Sequence, residues 1–161
     1  MFAEIPADKI RPGLIGLQQF FKDYVPTLSF SVKCVGLMED DQMVGVVVYG
    51  GGRIFSLAVA EDQRDYGYGR RLFEYVLSET NGEVVTYVPI NCHHSVAAFI
   101  SWGCYFEGFF TSMGKKTRYY RLVHDHRREL ETNDFYDDKL WEDTATLAEE
   151  ALVMFNVGSL V

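Results

Sequence analysis

The run Arg64-Asp65-Tyr66-Gly67-Tyr68-Gly69-Arg70-Arg71 sets two glycines, two apart, between a strand-like segment and a helix-like one. Leu57-Ala58-Val59-Ala60 precedes it, and Leu72, Phe73, Val76 and Leu77 follow on one helical face. The first turn of a helix leaves backbone N–H groups unpaired and carries a partial positive charge. Glycine lets a bulky anion approach such a backbone without Cβ interference. A strand, a glycine turn and a helix in that order make a site for phosphate oxygens, and Arg64, Arg70 and Arg71 add positive charge. The same spacing also closes ordinary tight turns, so both readings stand on the glycines alone. A third glycine, as in the dinucleotide fingerprint, and the Gly-Lys-Ser/Thr of a Walker loop are both absent.

Metal chemistry is a poorer fit. Cys92, His93 and His94 are consecutive, adjacent side chains project apart, and no fourth ligand follows at metal spacing. Cys34, Cys92 and Cys104 are too few and too scattered for a disulfide framework. Reduced thiols and a cytoplasmic location are the expectation.

The elements that must position the glycine turn are legible around it. Leu14, Leu17, Phe20, Phe21 and Tyr24 recur at helical spacing over 12–24, with Pro26 just beyond. Two β-rich runs, 31–38 and 43–49, flank Glu39-Asp40-Asp41-Gln42 and read as a hairpin. After Gly50-Gly51-Gly52 a third strand covers 53–60. A helix opens at Gly69 and ends near Asn81-Gly82. A short strand over 83–88 stops at Pro89, a helix covers 93–102, and Gly103 closes it. Strands at 105–110 and 117–123 surround Met113-Gly114-Lys115. Leu140, Thr144, Leu147, Ala151 and Phe155 trace a last helical face over 137–155. This order predicts an α/β sandwich with a mostly antiparallel mixed sheet flanked by helices, not a doubly wound nucleotide fold.

The segment from Arg64 to Gly69 resembles the Arg/Gln-x-x-Gly-x-Gly/Ala signature of the GCN5-related N-acetyltransferases (GNAT). Leu57-Ala58-Val59 is similar to that family's central strand, followed by an acidic step at Glu61-Asp62. The likeness runs over roughly 31–123 and agrees in element order. It implies acetyl-CoA as cosubstrate, with backbone groups of Leu57 and Val59, beside Ala58, pairing with the pantetheine arm. The amides of Arg64, Asp65, Tyr66, Gly67, Tyr68, Gly69 and Arg70 would cradle the diphosphate. It also implies that the central strand splays from the next one and admits the pantetheine. Phe99-Ile100-Ser101-Trp102-Gly103-Cys104 resembles a second family segment, with departures. Phe99 stands where the family has the tyrosine that protonates the departing sulfur. Cys104 replaces a phenylalanine, and Asn91 is one residue from the family's asparagine.

Acetyl transfer needs a deprotonated amine. A lysine-like amine has a pKa near 10.4, so reaching its free form at pH 7 costs roughly 4–5 kcal/mol. Glu61 and His93 are the candidate bases, against the plain alternatives of a solvated loop acid and a polar helix-end residue. Tyr105, Ser95 or water would replace the missing acid at Phe99. Thiolate also leaves unaided, since a thiol's pKa is near 8.5. The alternative to an active transferase is a weak or inactive GNAT-fold protein acting as a CoA-binding or structural module.

Composition bounds these readings. The chain has 161 residues, 48 % hydrophobic and 24 % charged, within the range of one compact domain. Its net charge of −8 argues against nucleic acid or anionic lipid as partner. Residues 125–150 hold ten acids against three bases, so the charge sits on an acidic tail. The expected division is a catalytic domain over 1–124 and an acidic tail over 125–161. That tail caps the sheet, mediates self-association, or favours cationic amine acceptors if it lies near them. Trp102, Tyr105, Phe106, Phe109 and Phe110 form an aromatic cluster that suits core or a homodimer edge. No signal peptide and no membrane span are expected.

Overall fold

The computed structural model describes residues 1–5, 32–111, 118–125 and 148. The elements are β1 (Phe2–Glu4), β2 (Val32–Glu39), β3 (Gln42–Gly50), β4 (Arg53–Val59), a 3₁₀ turn (Glu61–Gln63), α1 (Tyr68–Glu79), β5 (Val84–Pro89), α2 (His93–Ser101), β6 (Tyr105–Thr111) and β7 (Arg118–His124). The helices expected over 12–24 and 137–155 and the Met113-Gly114-Lys115 turn lie outside the described residues, apart from Ala148, which is helical and buried.

The seven strands form one sheet in the order β1-β2-β3-β4-β5-β7-β6. Every neighbouring pair is antiparallel except β4 and β5. β2 and β3 join through Asp40 and Asp41, both with positive φ (50° and 63°). A two-residue turn of that hand matches the right-handed twist of the strands. Pro89 is the last residue of β5, as its missing N–H requires. β1 was not expected: three residues are too short to show alternation. It is held by pairing with β2, and the Ile5 N–H donates to the Cys34 carbonyl at 2.7 Å.

α1 and α2 pack on one face of the sheet. α1 turns Leu72, Phe73 and Val76 fully inward and leaves Arg70, Arg71 and Glu74 in solvent. Each buried side chain contributes about 1.5–3 kcal/mol. They meet Val35, Val47 and Ile54 of the sheet and, from α2, Phe99. The Asn81 and Gly82 backbones (φ 56° and 81°) end α1, and the Gly82 N–H returns to the Leu77 carbonyl at 2.8 Å. On the opposite face Cys34, Val46, Val48, Val85, Tyr87, Tyr119 and Val123 are also buried. Side chains on both faces of the sheet are thus buried. Among the described residues no helix is long and apolar enough to cross a membrane.

Candidate functional site

β4 and β5 are parallel neighbours with only two residue pairs in register, Arg53 with Val85 and Ile54 with Thr86. The Val85 N–H donates to the Gly52 carbonyl at 2.9 Å, and the Thr86 hydroxyl donates to the Ile54 carbonyl at 3.1 Å. Past that rung the two strands run on without pairing to each other. This is the splay that the family resemblance implies.

A bulge decides what lines the gap. The β3–β4 register slips so that Tyr49 faces Ile54 and Val48 faces Ser56, leaving Phe55 as the extra residue. Such an insertion shifts which residues turn their polar backbone toward each neighbour. Ile54 bonds toward β5, yet the Ala60 N–H donates to the Val44 carbonyl on β3 at 2.9 Å. By strand alternation Ala58 also bonds toward β3, and the N–H and C=O groups of Leu57 and Val59 face the gap. The Arg64 Nε lies 3.4 Å from the Val59 carbonyl, a long hydrogen bond.

The chain leaves β4 through Ala60 and the 3₁₀ turn, then bends at Asp65 (φ 70°) and Gly67 (φ 80°) into α1. Arg64, Asp65, Tyr66 and Gly67 are exposed, and no side chain caps the helix. The Arg71 N–H makes the first bond of the helix, to the Gly67 carbonyl at 3.1 Å. The amides of Tyr68, Gly69 and Arg70 precede it and are free to hold an anion.

The two glycines do different work. A Cβ at Gly67 would meet nothing within 4 Å, so open space lies above it. A Cβ at Gly69 would stand 3.0 and 3.1 Å from the Trp102 indole. The absence of a side chain at Gly69 therefore lets α1 pack closely against Trp102. Arg70 pairs with Glu74 at 3.0 Å and Arg71 pairs with Glu39, so their charge is shared with carboxylates.

Glu61 opens the 3₁₀ turn after β4, and His93 is the first residue of α2 after β5. Because β4 and β5 are parallel, both exposed side chains stand at the end where the gap is widest. Asn91 is exposed in the turn between β5 and α2. Tyr105 does not join them. It pairs with Val123, which pairs with Val85, so it lies level with the start of β5. β7 also intervenes, which puts it roughly 10 Å sideways from β5 at ordinary strand spacing. Phe99 is 6 % exposed and packs edge-on against Phe73 (5.8 Å) and Trp102 (5.3 Å), a core position. Among the described residues no group of His, Cys, Asp and Glu is arranged to hold a metal.

A polar array on the second face escaped the sequence. The Arg53 guanidinium lies 5.1 Å over the Tyr87 ring. Arg121 donates from Nη1 to the Tyr87 hydroxyl at 3.3 Å, and its Nε pairs with Glu107 at 3.1 Å. Burial raises the Tyr87 phenol above its ordinary pKa, against the pull of Arg53 and Arg121. Tyr87 follows the last β4–β5 rung directly. Its four residues come from four strands, β4, β5, β6 and β7, that are separated in the sequence.

The cysteines are shielded. Burial pushes the thiols of Cys34 and Cys104 up to about 12 from an ordinary 9.0, Glu4 adding to the effect at Cys34. These thiols stay protonated in the folded chain and ionise first in the unfolded one. Stability is therefore full below about pH 9 and falls as pH rises toward 12, by about 1.4 kcal/mol per pH unit per thiol. Tyr49 and Tyr87, both raised chiefly by burial, add in the same direction. Urea midpoints between pH 8 and 11 check the slope, and replacing either buried cysteine by alanine should flatten it.

No protein-family model and no curated protein matches the chain. Solved structures do. The IAA acetyltransferase from Bacillus cereus ATCC 14579 is similar with a TM-score of 0.56 and 14 % identity, over 76 % of this chain and 97 % of that one. The ribosomal-protein-S18-alanine N-acetyltransferase from Escherichia coli gives 0.56 and 11 %, over 81 % and 97 %. A GNAT family acetyltransferase from Elizabethkingia anophelis with acetyl-CoA bound gives 0.54 and 12 %, over 76 % and 96 %. These likenesses establish the fold: the chain has the mixed-sheet architecture of the GNAT acetyltransferases.

Proposed function

We propose that the chain is an acetyl-CoA-dependent N-acetyltransferase acting on a primary amine. The observation that carries this reading is the splayed β4–β5 pair leading into an uncapped, exposed helix start. The residues fit the donor. Leu57 and Val59 offer backbone groups to a pantetheine amide, the amides from Arg64 to Arg70 offer donors to a diphosphate, and the space above Gly67 is open. Acetyl-CoA supplies an activated acetyl group.

The chain's own residues then have two tasks. The gap holds the thioester carbonyl beside the amine. Glu61 or His93 takes the proton that the amine must lose as its nitrogen bonds to the carbonyl carbon. The carbon–sulfur bond breaks, and the thiolate leaves as such or takes a proton from water.

Two observations favour the second reading, a CoA-binding protein with little turnover. Phe99 carries no hydroxyl and is packed in the core, and Tyr105 is remote from the gap. Two measurements separate the cases. Acetyl-CoA at 100 times its Kd adds about 2.7 kcal/mol of stability to any binder. Free-thiol release with a panel of polyamines, amino acids and peptides then marks the enzyme. Stabilisation without thiol release selects the second reading, and no stabilisation removes both.

A further inference from the structure

The aromatic cluster between the end of α2 and β6 divides in two. Trp102 packs inward, its ring centroid 5.5 Å from that of Phe73 and 5.3 Å from that of Phe99. Tyr105, Phe106 and Phe109 turn outward and are 47 %, 50 % and 54 % exposed. Of the six large apolar side chains exposed among the described residues, four lie between Ile100 and Phe109. Single exposed apolar residues are ordinary, but a contiguous group marks a contact surface.

A bulge gathers the two phenylalanines. Residues three apart in a regular strand point to opposite faces. Here Phe106 pairs with Leu122 and Phe109 with Tyr120, leaving Glu107 and Gly108 opposite Arg121 alone. The extra residue, with Gly108 at φ 130°, brings Phe106 and Phe109 to the same face. Their centroids are 5.1 Å apart, and both meet the Tyr120 ring, at 5.6 and 5.4 Å. The Arg118 guanidinium borders the group, 4.3 Å from the Phe109 ring centre.

This group lies on β6, the last strand of the sheet. Exposed edges are commonly guarded by lysine, proline or an unpaired charge. β6 has neither lysine nor proline, and its one charge, Glu107, is matched by Arg121 at 3.1 Å. Two copies of a chain with net charge −8 repel at a distance, yet along this strand they meet without opposed charges. The two rings also stand symmetrically about Glu107 and Gly108. A two-fold axis there sets Phe106 of one copy against Phe109 of the other, so one patch serves both sides.

We propose that β6 is the interface of a homodimer, in which Phe106 and Phe109 of two copies pack together across that axis. The bulge interrupts backbone pairing along the edge, so side chains make the contact. Full burial of an aromatic side chain covers about 150–250 Å², so Tyr105, Phe106 and Phe109, half-exposed in each copy, supply about 600 Å². The smallest stable interfaces cover about 1,200 Å², about 65 % of it apolar in homodimers. The three rings provide most of that apolar share.

Sedimentation equilibrium of the full chain over a concentration series tests it, on wild type, Phe106→Ser, Phe109→Ser and Tyr66→Ser. Wild type should dimerise. Each phenylalanine variant should weaken the dimer about 100-fold, because the side chain is lost from both copies. Far-ultraviolet circular dichroism should stay that of wild type, since both positions are exposed. Tyr66→Ser, which removes an exposed ring elsewhere, should leave the dimer unchanged. A wild-type chain that stays monomeric throughout, or a dimer that survives both phenylalanine substitutions, overturns the proposal. An equal loss in Tyr66→Ser marks unspecific apolar association and overturns it as well.

Discussion

Acetyl-CoA affinity should fall about 100-fold in Gly67→Glu and hold within about threefold in Gly67→Asn. The position has φ 80° and open space above it. A carboxylate placed about 5 Å from a diphosphate charge costs about 3 kcal/mol at an effective dielectric of 20, which is about two decades in Kd. The left-handed backbone adds roughly 1–2 kcal/mol of strain for a residue with a Cβ. That strain acts on folding rather than on binding, and asparagine tolerates it best. Asparagine thus serves as the control for backbone, glutamate as the test of charge. Calorimetric titration reads the affinities, and thermal denaturation reports the strain. Undiminished binding by the glutamate variant would place the diphosphate elsewhere.

Proton removal from the acceptor is the other step with a large expected effect. Glu61→Gln and His93→Gln each delete one candidate base at the wide end of the gap. A positioned base is worth about 10²–10⁴ in rate. The variant that loses it should drop kcat/KM at pH 7 by about 100-fold, with acetyl-CoA affinity retained. The loss should shrink as pH approaches the amine's own pKa, near 10.4 for a lysine-like acceptor, because the free amine no longer needs help. The other variant should move little. A tenfold smaller effect from both would leave water as the base and remove either side chain from the chemistry.

These two experiments bear on features of different legibility. α1 was readable because Leu72, Phe73, Val76 and Leu77 recur at helical spacing and Asn81-Gly82 supplies a left-handed stop. The β2–β3 turn was readable because two aspartates tolerate positive φ. The glycine turn announced itself by composition. The bulge at Phe55 left no mark, since Arg53 to Val59 is a continuous strand whichever residue is extra. Yet the bulge is what turns Leu57 and Val59 toward the gap. Tyr105 was misplaced because its neighbourhood depends on lateral strand order. β7 inserts between β5 and β6, a long-range choice that local pattern does not encode. Gly67 and Gly69 look alike in sequence, and only the position of Trp102 tells the turn glycine from the packing glycine.

The two rungs between β4 and β5, with the Thr86 hydroxyl, form a seam rather than a continuous weave. Strands β1–β4 on one side and β5, β7 and β6 on the other are each stitched along most of their length, and this join is basted at one end. A load that opens the sheet will part it there, as a zip parts from its open end. A ligand that paired with both strands along that gap would stiffen the whole sheet as well as fill the opening.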